Sequence, residues 1–255
     1  MAGKKEKAEK VISAIQKRWG RRIIGRSKGA LTQPIAHIPT GFPQLDKALG
    51  IGGIPRGRIS ELLGAPTSGM ATVALKIISH AQQRGGMTVY LDVGQTFDPD
   101  FALRCGVRLE NLRLIRPHNL SQALAILVDL IINGGIELLI FDLPVNLQSG
   151  QVPAPKFTAS MGRLLAPLSK SGGTLIFLTS LRPLNNSLAA YSDQVTLPHF
   201  ATVRLLLQKE RWLYEQQDVR GYEAQAWVIK NKLGRPGQKV RFGITFNGTV
   251  DGDSL

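Results

Sequence analysis

Apolar residues recur at three- and four-residue steps between positions 4 and 19, with Val11, Ile12, Ile15 and Trp19 in phase. That period predicts a helix, and Gly20 marks its end. A basic, Gly-containing connector follows to about Gly29. From Ile35 onward the pattern becomes one of short apolar runs alternating with helical periods. Strands are predicted at RISELL (58–63), MTVYLDV (87–93), LRLI (112–115), ELLIFD (137–142) and TLIFLTS (174–180). Helices are predicted at about 69–84, 97–105, 119–133 and 158–170. Strict alternation implies right-handed crossovers and an α/β fold, a mainly parallel sheet flanked by helices on both faces. Beyond it the pattern changes: VRLLLQ (203–208), AQAWVIKNK (224–232) and KVRFGITF (239–246) read as successive antiparallel strands. No internal repeat or low-complexity tract interrupts the chain.

With 255 residues, 43% of them hydrophobic, the chain can bury one large core. Its longest apolar runs, such as Ala123 to Ile132, are shorter than a membrane span, so no membrane partner is expected. The charged first ten residues lead into no apolar signal core, and a lone cysteine, Cys105, excludes an internal disulfide framework. Both point to the cytoplasm. Cys105 itself reads as a small buried residue. The histidines His37, His80, His118 and His199 have no metal-type spacing, so no metal site is expected.

Charge changes the picture more. Thirty-two Lys and Arg against eighteen Asp and Glu give a net charge of +14. No acid occurs between Asp142 and Asp193 or between Glu223 and Asp251, and KRWGRRIIGRSK (17–28) carries six cations and no anion. Such runs favour a polyanionic partner, because each neutralised phosphate releases counterions. A solubilising surface, or adaptation to heat or salt, is the rival explanation.

GAPTSGMAT (64–72) lies between an apolar strand and a helix, where a phosphate-binding loop belongs. Gly64 and Gly69 have the G-x-x-x-x-G spacing that lets backbone N–H groups surround a phosphate at a helix N-terminus. A complete loop continues with a lysine for the β- and γ-phosphates and a hydroxyl for Mg²⁺. Met70 and Ala71 stand in those two places. One lost contact of that kind removes roughly 3–4 kcal/mol of electrostatic stabilisation.

From about residue 7 to 250 the chain resembles bacterial RecA recombinase cores. The resemblance is carried by AIQKRWGRRII (14–24), TGFPQLDKALGIGGIPRGRISELLGAPTSGMAT (40–72), DVGQTFDPDFALRCGVRLENL (92–112), LLIFD (138–142) and VIKNK (228–232). It implies a RecA-type P-loop NTPase core at 35–255. It also implies a subunit-docking N-terminal helix with its basic connector at 1–34; the family's additional C-terminal domain is not expected, since the sequence ends at Leu255 just after the core. Carried over, the nucleotide site comprises Gly64, Thr67, Ser68, Gly69, Met70, Ala71, Thr72, Asp98, Phe101 and Asp142, with Asp98 and Phe101 matching adenine contacts. Gly94 stands where the family has the carboxylate that activates water, and Thr179 and Ser180 replace an Asn-Gln pair that senses the γ-phosphate. Lys230 and Lys232 match lysines that reach the ATP of the adjacent subunit. Two DNA-gripping loops correspond to 146–162 and 182–200; Arg182 matches a family arginine, while Lys156 and Arg163 enter on charge alone.

These readings lead to one expectation and two rivals. The chain is expected to be no enzyme: a DNA-binding protein of repair, recombination and the DNA-damage (SOS) response, favouring single-stranded DNA and acting in a filament with a RecA-like recombinase or with itself. ATP or ADP would bind weakly, without hydrolysis. The first rival is an accessory of the ImuA type, serving an error-prone translesion polymerase. The second is a DNA-dependent ATPase with a rebuilt site, using another lysine such as Lys76.

Overall fold

The computed structural model describes residues 2–20, 34–143, 153–184, 187–189 and 197–246, with the backbone alone at 2, 154, 182–184 and 187–189. The chain divides into two compact units, 1–34 and 35–255. The first contains helix α1 (Ala2–Trp19).

In the second unit, short β1 (His37–Ile38) pairs with β2 (Ile54–Pro55) around α2 (Pro43–Leu49). The alternating part runs β3 (Ile59–Gly64), α3 (Met70–Gln83), β4 (Thr88–Asp92), α4 (Pro99–Arg104), β5 (Leu112–Ile115), α5 (Leu120–Asn133), β6 (Leu138–Leu143), α6 (Ala154–Ser171) and β7 (Thr174–Ser180). A small hairpin, β8 (Arg182–Leu184) with β9 (Ser187–Ala189), and a short helix α7 (Leu197–Phe200) lead to β10 (Val203–Glu215), β11 (Asp218–Asn231) and β12 (Lys239–Thr245). The eight-stranded sheet has the order β12-β11-β10-β3-β7-β6-β4-β5. Its pairs from β5 to β10 are all parallel, and β11 and β12 add antiparallel edges. This is the expected α/β architecture.

The central strands are buried on both faces, which is why they read as continuous apolar runs. On β7, Ile176 and Leu178 join α3's Val73, Ala74, Ile77 and Ile78 in one cluster. The alternate residues, Leu175 and Phe177, join α5's Leu124 and Leu127 and α6's Met161 and Leu164 in the other. Period two on the strands and period 3.6 on the helices thus meet in two layers.

Three predicted boundaries need correction. Helix α6 begins at Ala154 and not near 158, because prolines at and just after its start preset a helical φ. Lys156 is therefore helical, on a segment expected to be loop. Within 182–200, also expected to be loop, the described residues form β8, β9 and α7. Strands β10 and β11 extend to Glu215 and back from Asp218, far past the predicted 203–208 and 224–232, since each satisfies the other's backbone groups beyond the sheet.

Candidate functional site

Strand β3 ends at Gly64, and α3 starts six residues later at Met70. A Cβ on Gly64 would lie 2.1 Å from the Ser68 hydroxyl, so only glycine lets the loop fold back over the strand end. Gly69, at φ +92°, caps α3, and Thr67 takes φ +66°. Ser68 is buried, and its hydroxyl has no hydrogen-bond partner among the described residues. Strained backbone, a glycine cradle and an unpaired buried hydroxyl are features of an anion-binding turn.

The loop floors a cleft of about 710 Å³. Gly69, Met70, Ala71 and Thr72 line it, as do Thr96, Asp142 and Ser180. Phe101, Trp212, Tyr222 and Phe246 give it aromatic walls. Tyr222 packs edge-on against Trp212, with ring centroids 6.0 Å apart, and tilted against Phe246 at 5.8 Å. Its hydroxyl bonds to Thr72 and would meet a Cβ on Gly69 at 3.1 Å. No Lys or Arg is among the described residues lining the cleft, and Asp142 is the one carboxylate there. Burial pushes the Asp142 carboxyl up to about 6, against the Tyr90 hydroxyl that donates to it at 2.7 Å. The buried Asp92 beside it is held differently: it accepts from the Thr96 and Phe97 N–H groups and pairs with Arg116 at 3.2 Å.

The expected nucleotide residues are not all brought together. Gly69, Met70, Ala71, Thr72, Phe101 and Asp142 line the cleft with Thr67 and Ser68, and Gly64 starts its floor. Asp98 instead caps α4, accepting from the Phe101 N–H at 3.0 Å. Gly94 lies in the turn after β4. Lys76, on α3, is not among the described residues lining the cleft; its Cβ is 3.1 Å from where a Cβ on Gly41 would lie, and its charge acts on Cys105. The cradle fits a phosphate. A divalent cation beside it, which the fold family implies, has the methyl of Ala71 where its hydroxyl ligand belongs, and the residues present do not fit that ion.

Lys230 and Lys232 lie near the other end of the sheet. Lys230 is paired with Arg204, and Arg204 with Glu61, while the loop starts beyond Gly64. The Lys232 N–H bonds to the Thr202 carbonyl, whose own N–H bonds to Ile59. From Ile59 to Gly64 the strand rises roughly 16 Å. The Lys230 ammonium donates to the Pro198 carbonyl at 2.5 Å and to that of His199 at 3.4 Å, which Lys232 also reaches at 3.4 Å. Burial and the neighbouring Lys232 and Arg204 charges lower the Lys230 pKa.

Of the expected DNA residues, Lys156 is on the first turn of α6, donating to the Ser121 hydroxyl at 2.9 Å. Arg163 follows on the same helix, and Arg182 opens β8. The stretches 146–152, 185–186 and 190–196 of the two expected loops lie outside the described residues.

Sequence reasoning missed the wall formed by Trp212, Tyr222 and Phe246. Their spacing is uninformative; cross-strand register alone, Trp212 opposite Tyr222, brings them together.

The RecA N-terminal domain family matches residues 6–251. The chain is 32% identical over 262 residues to Protein RecA of Aquifex aeolicus, covering 96% of this chain and 76% of that one. Against Protein RecA of Herpetosiphon aurantiacus the identity is 33%, over 95% and 72% of the two chains. For Streptomyces coelicolor the figures are 31%, 96% and 71%. These matches overturn the expectation that the chain is not an enzyme, because RecA proteins are DNA-dependent ATPases. The residues at 70, 71 and 94 describe an altered cleft and do not decide that question. Among the described residues no helix is long and apolar enough to cross a membrane, and no cluster of three or more metal-type ligands occurs.

Proposed function

The chain belongs to the RecA family, proteins of DNA repair and recombination, and we propose that it works there as a DNA-bound accessory subunit in a recombinase filament, modulating the filament it joins. The observation that carries this reading is the placement of Lys230 and Lys232. They lie at the opposite end of the sheet from the loop of their own chain, where they suit a phosphate on an adjoining subunit and not their own cleft. The same placement favours a filament role over service to a translesion polymerase. Here the cleft holds ATP or ADP through backbone N–H groups of the loop, with Phe101 and the facing aromatic wall against the base. Helix α1 with its basic connector docks on a neighbouring subunit, and Lys156, Arg163 and Arg182 bind single-stranded DNA.

The test mixes the chain with an active RecA-type recombinase on single-stranded DNA and follows filament length and the recombinase's ATP turnover. Co-assembly with a changed turnover rate is expected, and the double variant K230A/K232A should assemble but leave turnover at its unmixed value. No complex, with filament length and turnover unaltered, would refute the reading.

A further inference from the structure

We propose that Lys209, on the strand beside the loop, supplies the positive charge that Met70 does not, and binds the phosphates of a nucleoside polyphosphate held at the loop. The inference rests on the reading of the cleft as a nucleotide site. Strand β10 runs parallel to β3 with Leu207 opposite Gly64, so residues 208–210 continue past the end of β3 alongside the loop. Leu207 and Ala224, the residue paired with Lys209, are both buried in the cluster that includes α3. Strand alternation therefore puts Lys209 on the face of the sheet that carries the loop and α3.

Two further contacts fix its position. Lys209 lines a hollow of about 530 Å³ whose other wall is Thr67 and Ser68, the loop residues that also border the cleft. Its ammonium lies 3.9 Å from the ring centroid of Trp212, and Trp212 lines the cleft itself. The indole thus holds the cation at the cleft mouth, on a side chain long enough to swing toward phosphate oxygens. Glu210, the carboxylate in the same hollow, already faces Arg241 at 3.6 Å, and Lys209 makes no salt bridge among the described residues. By contrast Lys76, on α3, is not among the described residues lining either the cleft or the hollow.

The experiment titrates the full chain with a fluorescent ADP and a slowly hydrolysed ATP analogue, comparing the unaltered protein, K209A, K209R and the double variant M70K/K209A. Lys209 is exposed, so K209A should fold and melt as the parent does. Affinity is expected to fall roughly ten-fold or more in K209A, since a charged hydrogen bond is lost. K209R should retain most of it, and M70K/K209A should recover it by returning a lysine to the loop. Equal affinity of K209A and the parent would overturn this assignment alone. Failure of the unaltered chain to bind either nucleotide would overturn the reading of the cleft with it.

Discussion

Asp142 is placed under opposing demands. Its carboxyl is desolvated enough to titrate at about 6, yet it accepts a hydrogen bond from Tyr90 that favours the ionised form. In the unfolded chain it would titrate at about 3.9. A folded-state value above the unfolded one means that its contribution to stability is fully present below pH ~4 and is lost as the pH rises through 6. The loss is on the order of 2–3 kcal/mol. D142N cannot ionise but still accepts from Tyr90, so its thermal midpoint should gain on the parent's between about pH 4.5 and 7.5. Melts at the two pH values check this; a constant gap would show that burial does not perturb Asp142. Much at this scale was legible from the chain. The loop glycines were legible because they follow a local spacing, whereas Phe101, which lines the cleft, entered through the family resemblance alone. The cap that Asp98 makes on α4 was not expected, because a helix cap and a ligand contact call for the same side chain.

Among the elements, the β10–β11 hairpin does what no local pattern announces. It runs past the sheet and folds aromatic side chains against a loop more than a hundred residues earlier in the chain. Its edge depends on Gly221, where a Cβ would lie 2.1 Å from the Ile244 carbonyl oxygen. G221A should therefore push β12 outward, lower stability by about 1–3 kcal/mol, and disturb Phe246, whose N–H bonds to the Arg220 carbonyl. Denaturant unfolding measures the first effect, and nucleotide affinity the second. Parallel strands and their helices were predictable because burial on two faces writes continuous apolar runs and a 3.6-residue period. The hairpin was cut short in prediction because residues 209–220 have no buried position to set a period. Helix α6 was begun late because its first turn is Pro- and Lys-containing and reads as loop.

For the molecule as a whole the excess of fourteen positive charges is the dominant long-range term. Binding to single-stranded DNA should weaken at least ~10-fold between about 50 and 200 mM salt. Fluorescence anisotropy over a salt series reads this directly, and an affinity that does not change with salt would contradict a phosphate-driven interface. The loop at one end of the sheet and the lysine pair at the other have a directional consequence. Subunits stacked loop to lysine have unlike termini, one presenting an unfilled cradle and the other an unused pair of ammonium groups. A chain whose cradle is altered but whose lysines are intact is then not equivalent at the two tips. In the proposed filament it would complete the site of a neighbour on one side and offer a changed one on the other, so growth would be biased toward one tip.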